Sequence, residues 1–318
     1  MLKQVIDAWE VLDSPKASGQ LVAEMVERTA GGGGDVAVSV RRVAGKDGGG
    51  TDFLVARFPG TGGRTAGGSA PTLGILGQLG GVGARPAKVG LVSDGDGAVV
   101  AVAVALKLAA MVAVGDRLSG DVIVTTHICP GAPTVPHEPV PFMGSPVGTA
   151  TANRYQVLPE MDALLSVDTT RGNRILNHRG FAITPTAKEG YLLRVSEDLL
   201  TLMQNVTGRP PVVLPVTTQD LTPYGNGIYH LNSIMQPATA TAAPVVGVAL
   251  TAETAVPGSA TGASQFADIE AAARFCLEVA KEFTGGKARF YDPDEYARLL
   301  ELYGPLRQLM VGGEHLDE

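Results

Sequence analysis

The run HICPGAPTVPHEP concentrates residue types that do chemistry: His127 and Cys129 close an apolar segment, and His137 and Glu138 follow in the same loop. Alternate residues of an extended strand share a face. His127 and Cys129 therefore form a candidate catalytic pair, a thiol nucleophile assisted by an imidazole. Histidine, thiolate and carboxylate are also zinc-ligand types, but the doubled Cys-x-x-Cys spacing of a structural zinc site is absent. The plain alternative is a buried thiol beside a hydrogen-bonded histidine. Two further stretches are dense in polar groups. SVDTTRGNRILNHRG carries Asp168, Arg171, Asn173, Arg174, His178 and Arg179, and TTQDLTPYGNGIYHLNS carries Gln219, Asp220, Tyr224, Asn226, Tyr229 and His230. Guanidinium groups beside amides and imidazoles suit a ligand carboxylate or phosphate. Arg174, His178 and Asn226 are the candidates for gripping such a ligand. Ion pairs between subunits use the same residues.

These groups need elements to position them. From Pro71 onward, apolar runs of strand length alternate with helical patterns: TLGILGQL, VGLVS, a long helix from Gly97, DVIVTTHI, MDALLSVD, VVLPVT and PVVGVAL. Helices are expected near Glu197 to Val206, Ile228 to Met235, Ile269 to Phe283 and from Pro293. Strands apolar on both faces, separated by helices, require a buried and mostly parallel sheet. The expected fold is three-layer α/β/α. Residues 1–70 form an N-terminal appendage of two helices and a hairpin, packed on a main domain over 71–318. Ligands of such sheets bind at the carboxyl ends of the strands. Gln78, Ser93, Asp94, His127, Cys129, Asp168, Gln219, Asp220 and Glu253 all fall at expected strand ends, which points to one pocket there. Turn-forming and capping roles are the competing explanation.

Several chemistries are excluded or demoted. GILGQLGGVG lacks the Gly-x-Gly-x-x-Gly order of a dinucleotide loop, and neither a phosphate loop nor a Gly-x-Ser-x-Gly elbow occurs. SDGDGA has the look of a calcium-loop start, but the apolar helix after it supplies no later acidic ligands. Acidic residues at a helix N-terminus explain it instead. The chain has 318 residues, 45% hydrophobic and 18% charged, with a net charge of −7. That is enough apolar surface for a core and the wrong sign for a general nucleic-acid binder. Two cysteines cannot make a disulfide framework, and no secretory leader is evident, so a cytoplasmic location is expected. Gly97 to Gly115 approaches the length of a membrane span, but Lys107 at its centre and flanking aspartates fit a buried helix, with no membrane partner. Apolar, weakly charged segments such as PVPFMGSPV point to a homo-oligomer.

From Thr72 onward the order of segments resembles the dinuclear zinc aminopeptidases of the tetrahedral and deblocking type. LGILGQLGGVG looks like their strand carrying a His-x-Asp pair, SDGDGAVVAVAVALK like their bridging-aspartate turn and helix, and GDVIVTTHIC like their strand leading to a glutamate pair. MDALLSVDTT is similar to the strand ending in an aspartate ligand, and PVVGVALTAETAVPG with FADIEAAARFCLEVAKEF to the last strand, final-histidine region and closing helix. The resemblance implies a zinc-peptidase-like, phosphorylase/hydrolase-like fold. Most ligands are replaced: Gln78 and Gly80 stand for the first pair, Ile128 and Cys129 for the glutamates, and Gly258 for the last histidine. Asp94 and Asp168 alone carry over. Over nearly its full length the sequence more closely resembles the bacterial domain of unknown function 1177 family, through ARPAKVGLVSDGDGA, GDVIVTTHICPGAPTVPHEPVPFMGSPV, SVDTTRGNRILNHRGFAITPT and TTQDLTPYGNGIYHLNSIMQPA.

The expected site is thus a remodelled zinc-aminopeptidase-like centre that binds a small amino-acid- or peptide-derived metabolite. If it is an enzyme, the reaction implied is hydrolysis of an amide. A retained metal would be one divalent ion, zinc, on Asp94, Asp168 and His127; no other cofactor is expected. Gln78, Arg174, His178, Gln219, Asp220 and Asn226 are the expected ligand-binding residues, and His127 and Cys129 the catalytic ones. A non-catalytic ligand-binding or assembly protein that kept the fold and lost the metal is the alternative.

Overall fold

The structure, a computed structural model, describes residues 1–33, 35–45, 49–78, 88–136, 141–171, 174–256 and 262–311. Along the chain come α1 (Leu2–Asp13), α2 (Gly19–Thr29), β1 (Ala37–Ala44), β2 (Gly50–Phe58) and β3 (Leu73–Gly77). Next are α3 (Asp96–Ala113), β4 (Val122–Ile128), β5 (Thr134–Val135), β6 (Phe142–Met143), α4 (Thr149–Gln156) and β7 (Ala163–Thr169). The rest is β8 (Gly180–Ile183), β9 (Ala187–Lys188), β10 (Tyr191–Leu192), α5 (Glu197–Thr207), β11 (Val245–Thr251), α6 (Phe266–Thr284) and α7 (Pro293–Tyr303).

One sheet organises the molecule, in the order β1-β2-β4-β3-β7-β11-β9-β10, with β8 also paired to β11. The central strands β4, β3, β7 and β11 run parallel, and every residue of β3, β4 and β11 is buried. Strands buried on both faces must be apolar throughout, which is why LGILG, VIVTTHI and VVGVALT read as unbroken runs. The N-terminal hairpin β1-β2 continues this sheet antiparallel through β4, and α1 and α2 pack against α3. Residues 1–70 therefore share the sheet and the main core with the rest of the chain.

One face of the sheet is covered by α1, α2, α3, α5 and α6. α3 is apolar all round because it lies between the sheet and α1, α2 and α6; 83% of its most apolar window is buried inside the protein. The other face is covered by α4 and by 3₁₀ turns at Thr218–Leu221 and Ser233–Thr239, through Leu221, Ile234, Met235 and Leu214. Three expected elements differ. VGLVS is not a strand: Leu91 and Val92 are buried in a connection that ends in a 3₁₀ turn at Ser93–Gly95. VVLPVT makes a single bridge, Val213 with Ile183, because Pro211 precedes it and Pro215 interrupts it, and neither has the N–H a ladder needs. The helix expected over Ile228 to Met235 is instead the 3₁₀ turn Ser233–Thr239, which contains Pro237.

The chain direction creates a switch point. From β3 the chain crosses by α3 to β4 on one side, then by α4 to β7 on the other side of β3. A crevice opens where neighbouring connections leave in opposite directions, at the carboxyl ends of β3 and β7. α3 starts directly against those ends. A Cβ on Gly97 would lie 2.6 Å from the Val167 carbonyl oxygen and 2.9 Å from that of Gln78, and one on Gly77 would lie 2.7 Å from the Gly97 oxygen. Gly97 of SDGDGA is thus demanded by helix-to-strand packing, and that packing brings Asp94 to the crevice.

Candidate functional site

A cavity of about 600 Å³ fills the crevice, lined among others by Asp94, Met143, Asp168, Arg171, Arg174, Tyr229, Asn232 and Ser233. Asp94 and Asp168 are both in it and both are buried, 4% and 2% exposed. Asp168 comes from the end of β7, where its register places it opposite Ala249 of β11. Its Oδ1 accepts from its neighbour's amide, Thr169 N, at 2.7 Å, and its Oδ2 accepts from Ser233 Oγ at 2.9 Å. Asp94 Oδ2 accepts from Met143 N at 3.1 Å, tying the turn before α3 to the β5-β6 hairpin.

Burial pushes the Asp168 carboxyl up to about 7; the Thr169 and Ser233 hydrogen bonds oppose that, and the nearby charge of Asp94 adds to it. A carboxyl with that value exchanges its proton at neutral pH. Ser233 also hydrogen-bonds Tyr224, whose phenol is pushed up to about 12 chiefly by burial and next by Asp168. Asp168, Ser233 and Tyr224 thus form a short polar chain from the cavity wall to a phenol that is 40% exposed.

Arg171 enters as the other buried charge. Its Nη1 donates to Asp96 Oδ2, with both side chains fully buried, and Ser264 Oγ donates to Asp96 Oδ1. Burial raises the Asp96 carboxyl, and the Arg171 charge opposes that shift. Arg174 lines the same cavity from an exposed position.

The other expected site residues separate into groups. His127 faces away from this cavity's lining: it is 2% exposed, its Nδ1 lies 2.9 Å from Thr51 Oγ1, and its ring packs on Phe53 at 5.3 Å between centroids. Burial lowers it to about 4, so it is neutral at pH 7. Cys129 packs with Val92, Ala132 and Met143, and burial raises its thiol, which keeps it protonated. Gln78 donates to Ser166 Oγ at 3.3 Å. Asp220 closes a capping box on Thr217 and accepts from Leu231 N and Asn232 N at 2.7 and 2.8 Å. It positions the wall that carries Asn232 and Ser233 without lining the cavity. Asn226 shapes its own turn, donating to Thr222 Oγ1 and accepting from Ile228 N, and Gln219 and Glu253 are exposed. His178 lines a different and larger cavity of about 820 Å³, with Arg179, Phe181, Arg209, Phe266 and Asp268. Its size exceeds that of the crevice, but its arginines Arg179 and Arg274 are solvent-exposed. The crevice holds the buried, shifted groups. Asn173, His137, Glu138, Gly80 and Gly258 lie outside the described residues.

The expected metal set is not assembled. Among the described residues no group of three His, Cys, Asp or Glu side chains could hold a metal ion. His127 is turned to Thr51 in the sheet, which leaves Asp94 and Asp168, and zinc needs about four ligands. Both oxygens of Asp168 already accept protein hydrogen bonds, and Asp94 accepts from Met143 N. The donor set does not fit zinc.

Sequence reasoning missed Ser233 and Asn232 as site groups. Ser233 is the last residue of the quoted stretch TTQDLTPYGNGIYHLNS, but the Asp220 bracket on Leu231 and Asn232, a tertiary contact, sets its place against Asp168.

Residues 42–313 match the model of a family described as "Protein of unknown function (DUF1177)". No curated protein sequence matches the chain. Among solved structures, LapB from Legionella pneumophila is similar at 12% identity and TM-score 0.50, covering 90% of this chain and 72% of that one. A Zn-dependent exopeptidase from Parabacteroides distasonis has 12% identity and TM-score 0.46, covering 88% and 96%. A tomato leucine aminopeptidase mutant, K354E, has 12% identity and TM-score 0.48; 87% of this chain is covered, and the chain spans 61% of that enzyme. The fold is zinc-peptidase-like: a mixed, mostly parallel sheet with helices on both sides.

Proposed function

The chain belongs to the DUF1177 family, and from that premise we propose that its crevice binds a small amino-acid- or peptide-derived metabolite without a zinc centre. The observation that carries this reading is the burial of two carboxyls, Asp94 and Asp168, in one cavity at the switch point. Two carboxyls turned toward a cavity recognise donors, an ammonium or an amide N–H, on the occupant. The walls add Met143, Ile175 and Leu231 for an apolar portion and Asn232 for a polar one. About 600 Å³ suits a ligand of dipeptide size. As part of the same proposal, the protein acts in the cytoplasm as a homo-oligomer.

A second reading, hydrolysis of an amide in that ligand, is favoured by one feature, the Asp168 carboxyl at about 7. Asp168 would take a proton from water as the ionised base, and Ser233 would hold its orientation through Oδ2.

Thermal-shift screening of the full chain against amino acids, dipeptides and cyclic dipeptides tests the first reading, with product analysis on each hit testing the second. A hit whose upshift disappears in Asp168→Asn supports binding in the crevice. Upshifts that survive both Asp94→Asn and Asp168→Asn would place the ligand elsewhere and end the proposal.

A further inference from the structure

The larger cavity, about 820 Å³, lies among α1, α5, α6 and the start of β8, and among the described residues it shares no lining side chain with the crevice. Its floor is apolar, made by Phe181 of β8 with Met203 and Val206 of α5. Its lip is apolar too: Leu2 and Phe266 are 51% and 40% exposed, although Trp9 packs edge-on against Phe266 at 4.9 Å between centroids. Large apolar side chains left open around one hollow mark a place for an apolar guest.

The same hollow carries more cations than anions. Glu270 is taken by Arg274 one turn along α6, which leaves Asp268 among Arg179, Arg209 and His178. Burial raises the Asp268 carboxyl, and the charges of those three residues and of Arg171 oppose that shift. Arg179 comes within ion-pair reach of Asp268, at 3.9 Å. Among the described residues, neither the Arg209 guanidinium nor the His178 imidazole makes a hydrogen bond or a close ion pair, yet both line the cavity. Both can be reached, Arg209 being exposed and His178 half-buried. A wholly polar anion would leave the Phe181 and Met203 floor unmatched, and a wholly apolar guest would desolvate cations without pairing them. One molecule with an apolar body and an anionic head satisfies both.

We infer that this cavity is a second binding site, for a small amphipathic anion whose acyl chain or aromatic ring lies on Phe181, Met203 and Val206 and whose carboxylate or phosphate head reaches Arg209 and His178. It goes beyond the crevice reading and stands or falls independently of it. About 820 Å³ accommodates a medium-length chain with its head. Guanidinium suits either head, since its donors match carboxylate and phosphate oxygens alike.

Trp9 is the chain's one tryptophan and touches the cavity lip through Phe266, so its fluorescence reads occupancy in the unmodified protein. The full chain is titrated with decanoate, monodecyl phosphate, decanol and acetate, each below the concentration at which it forms micelles. Decanoate or monodecyl phosphate is expected to change Trp9 emission saturably at one site per chain, and whichever binds more tightly identifies the head group. Decanol, which lacks the charge, and acetate, which lacks the chain, should each bind about tenfold more weakly or worse. In Arg209→Gln, a change at an exposed side chain, the affinity for the anion should fall about tenfold while that for decanol stays the same. No saturable response to either anion, equal affinity for decanol, or tight binding of acetate overturns the inference. So does an Arg209→Gln variant that binds the anion unchanged or loses decanol to the same degree. Trp9 emission that varies with protein concentration and ignores every probe would make the lip a contact between copies of the chain, and the site falls.

Discussion

Two parallel strands of the same sheet, β4 and β7, end in buried ionisable residues, and the same physical force acts on them with opposite outcomes. At the end of β4, burial lowers His127 to about 4, and the neutral ring settles against Thr51 and Phe53. At the end of β7, burial raises Asp168 to about 7 and leaves it facing a cavity with Asp94 beside it. Both groups are buried to the same degree, 2% exposed. The difference is topology. β4 is flanked by β2 and β3, and His127 at its end packs on Thr51 and Phe53 of β2; β7 meets β3 at the switch point, and its end faces the cavity. Desolvation makes a structural histidine in one place and a proton-exchanging carboxyl in the other.

Removing the Asp168 charge should give the largest effect. An Asp raised from 3.8 to about 7 penalises the folded state, by nothing below pH 3.8, increasingly up to pH 7 and constantly above. Asp168→Asn keeps the shape and removes the penalty. It should stabilise the protein by about 2–4 kcal/mol at pH 8, with no gain at pH 4, while ligand affinity falls about a hundredfold. Denaturant melts across pH, with calorimetric binding beside them, check both halves. A variant that loses stability at pH 8 would make Asp168 an ordinary structural carboxylate like many others.

Gly97→Ala attacks the geometry that creates the contrast. The added methyl would meet the Val167 oxygen at 2.6 Å, and a backbone oxygen at a strand cannot step aside. A cost of about 1–3 kcal/mol is expected, with weakened binding because α3 carries Asp94 and Asp96 away from β7. Chemical denaturation and the same binding assay read it; an unchanged affinity would show that the α3 approach is not what sets the site.

The sequence made much of the scaffold visible and the site only in part, for physical reasons. LGILG, VIVTTHI and VVGVALT announce themselves because strands buried on both faces must be apolar. VGLVS and VVLPVT carry the same composition and are not strands, since burial of a connecting segment selects the same residues as burial of a strand. Asp168 was legible through its position at a strand end, whereas Asp94 was picked from a segment that is not a strand and lies in the 3₁₀ turn before α3. His127 was misplaced because a shared strand face says which residues can meet, not whether a neighbouring strand fills the space between them. Arg171 was visible as a charge in a polar cluster, but its burial against Asp96 is a fact of three-dimensional packing.

On the β4 side, His127→Phe should act in the reverse sense from Asp168→Asn. A histidine lowered from 6.5 to about 4 lends its full stability above pH 6.5 and loses it as the pH falls toward 4. In the unmodified chain, that decline opposes the Asp168 trend across the same window. Asp168→Asn should therefore unmask a loss of stability on acidification, and adding His127→Phe should flatten it again. At pH 8 the phenylalanine keeps the ring packing and forfeits the Thr51 hydrogen bond, at a cost of about 1 kcal/mol, with ligand affinity unchanged. Melts of the two single variants and the double variant decide this, and a ligand affinity that drops in His127→Phe would return the histidine to the site.

Cys129 gives the smallest expected effect and the cleanest reading of the β4 end. Its thiol sits at 4% exposure against Val92, Ala132 and Met143, and burial raises it, so the reactive thiolate is scarce at neutral pH. Iodoacetamide should leave Cys129 unmodified in the folded chain and alkylate it only after denaturation, as mass mapping of peptides would show. Cys276, buried in α6, makes the internal control because its thiol is raised by the same cause. Cys129→Ala removes one sulfur from a small apolar cluster and should cost about 1 kcal/mol, with affinity in the crevice unchanged. Met143 joins the two regions, packing on Cys129 with its side chain and donating to Asp94 with its amide. A measurable change in affinity on Cys129→Ala would therefore mean that Met143 transmits the loss to Asp94, and that the strand ends are mechanically coupled despite their separate chemistry.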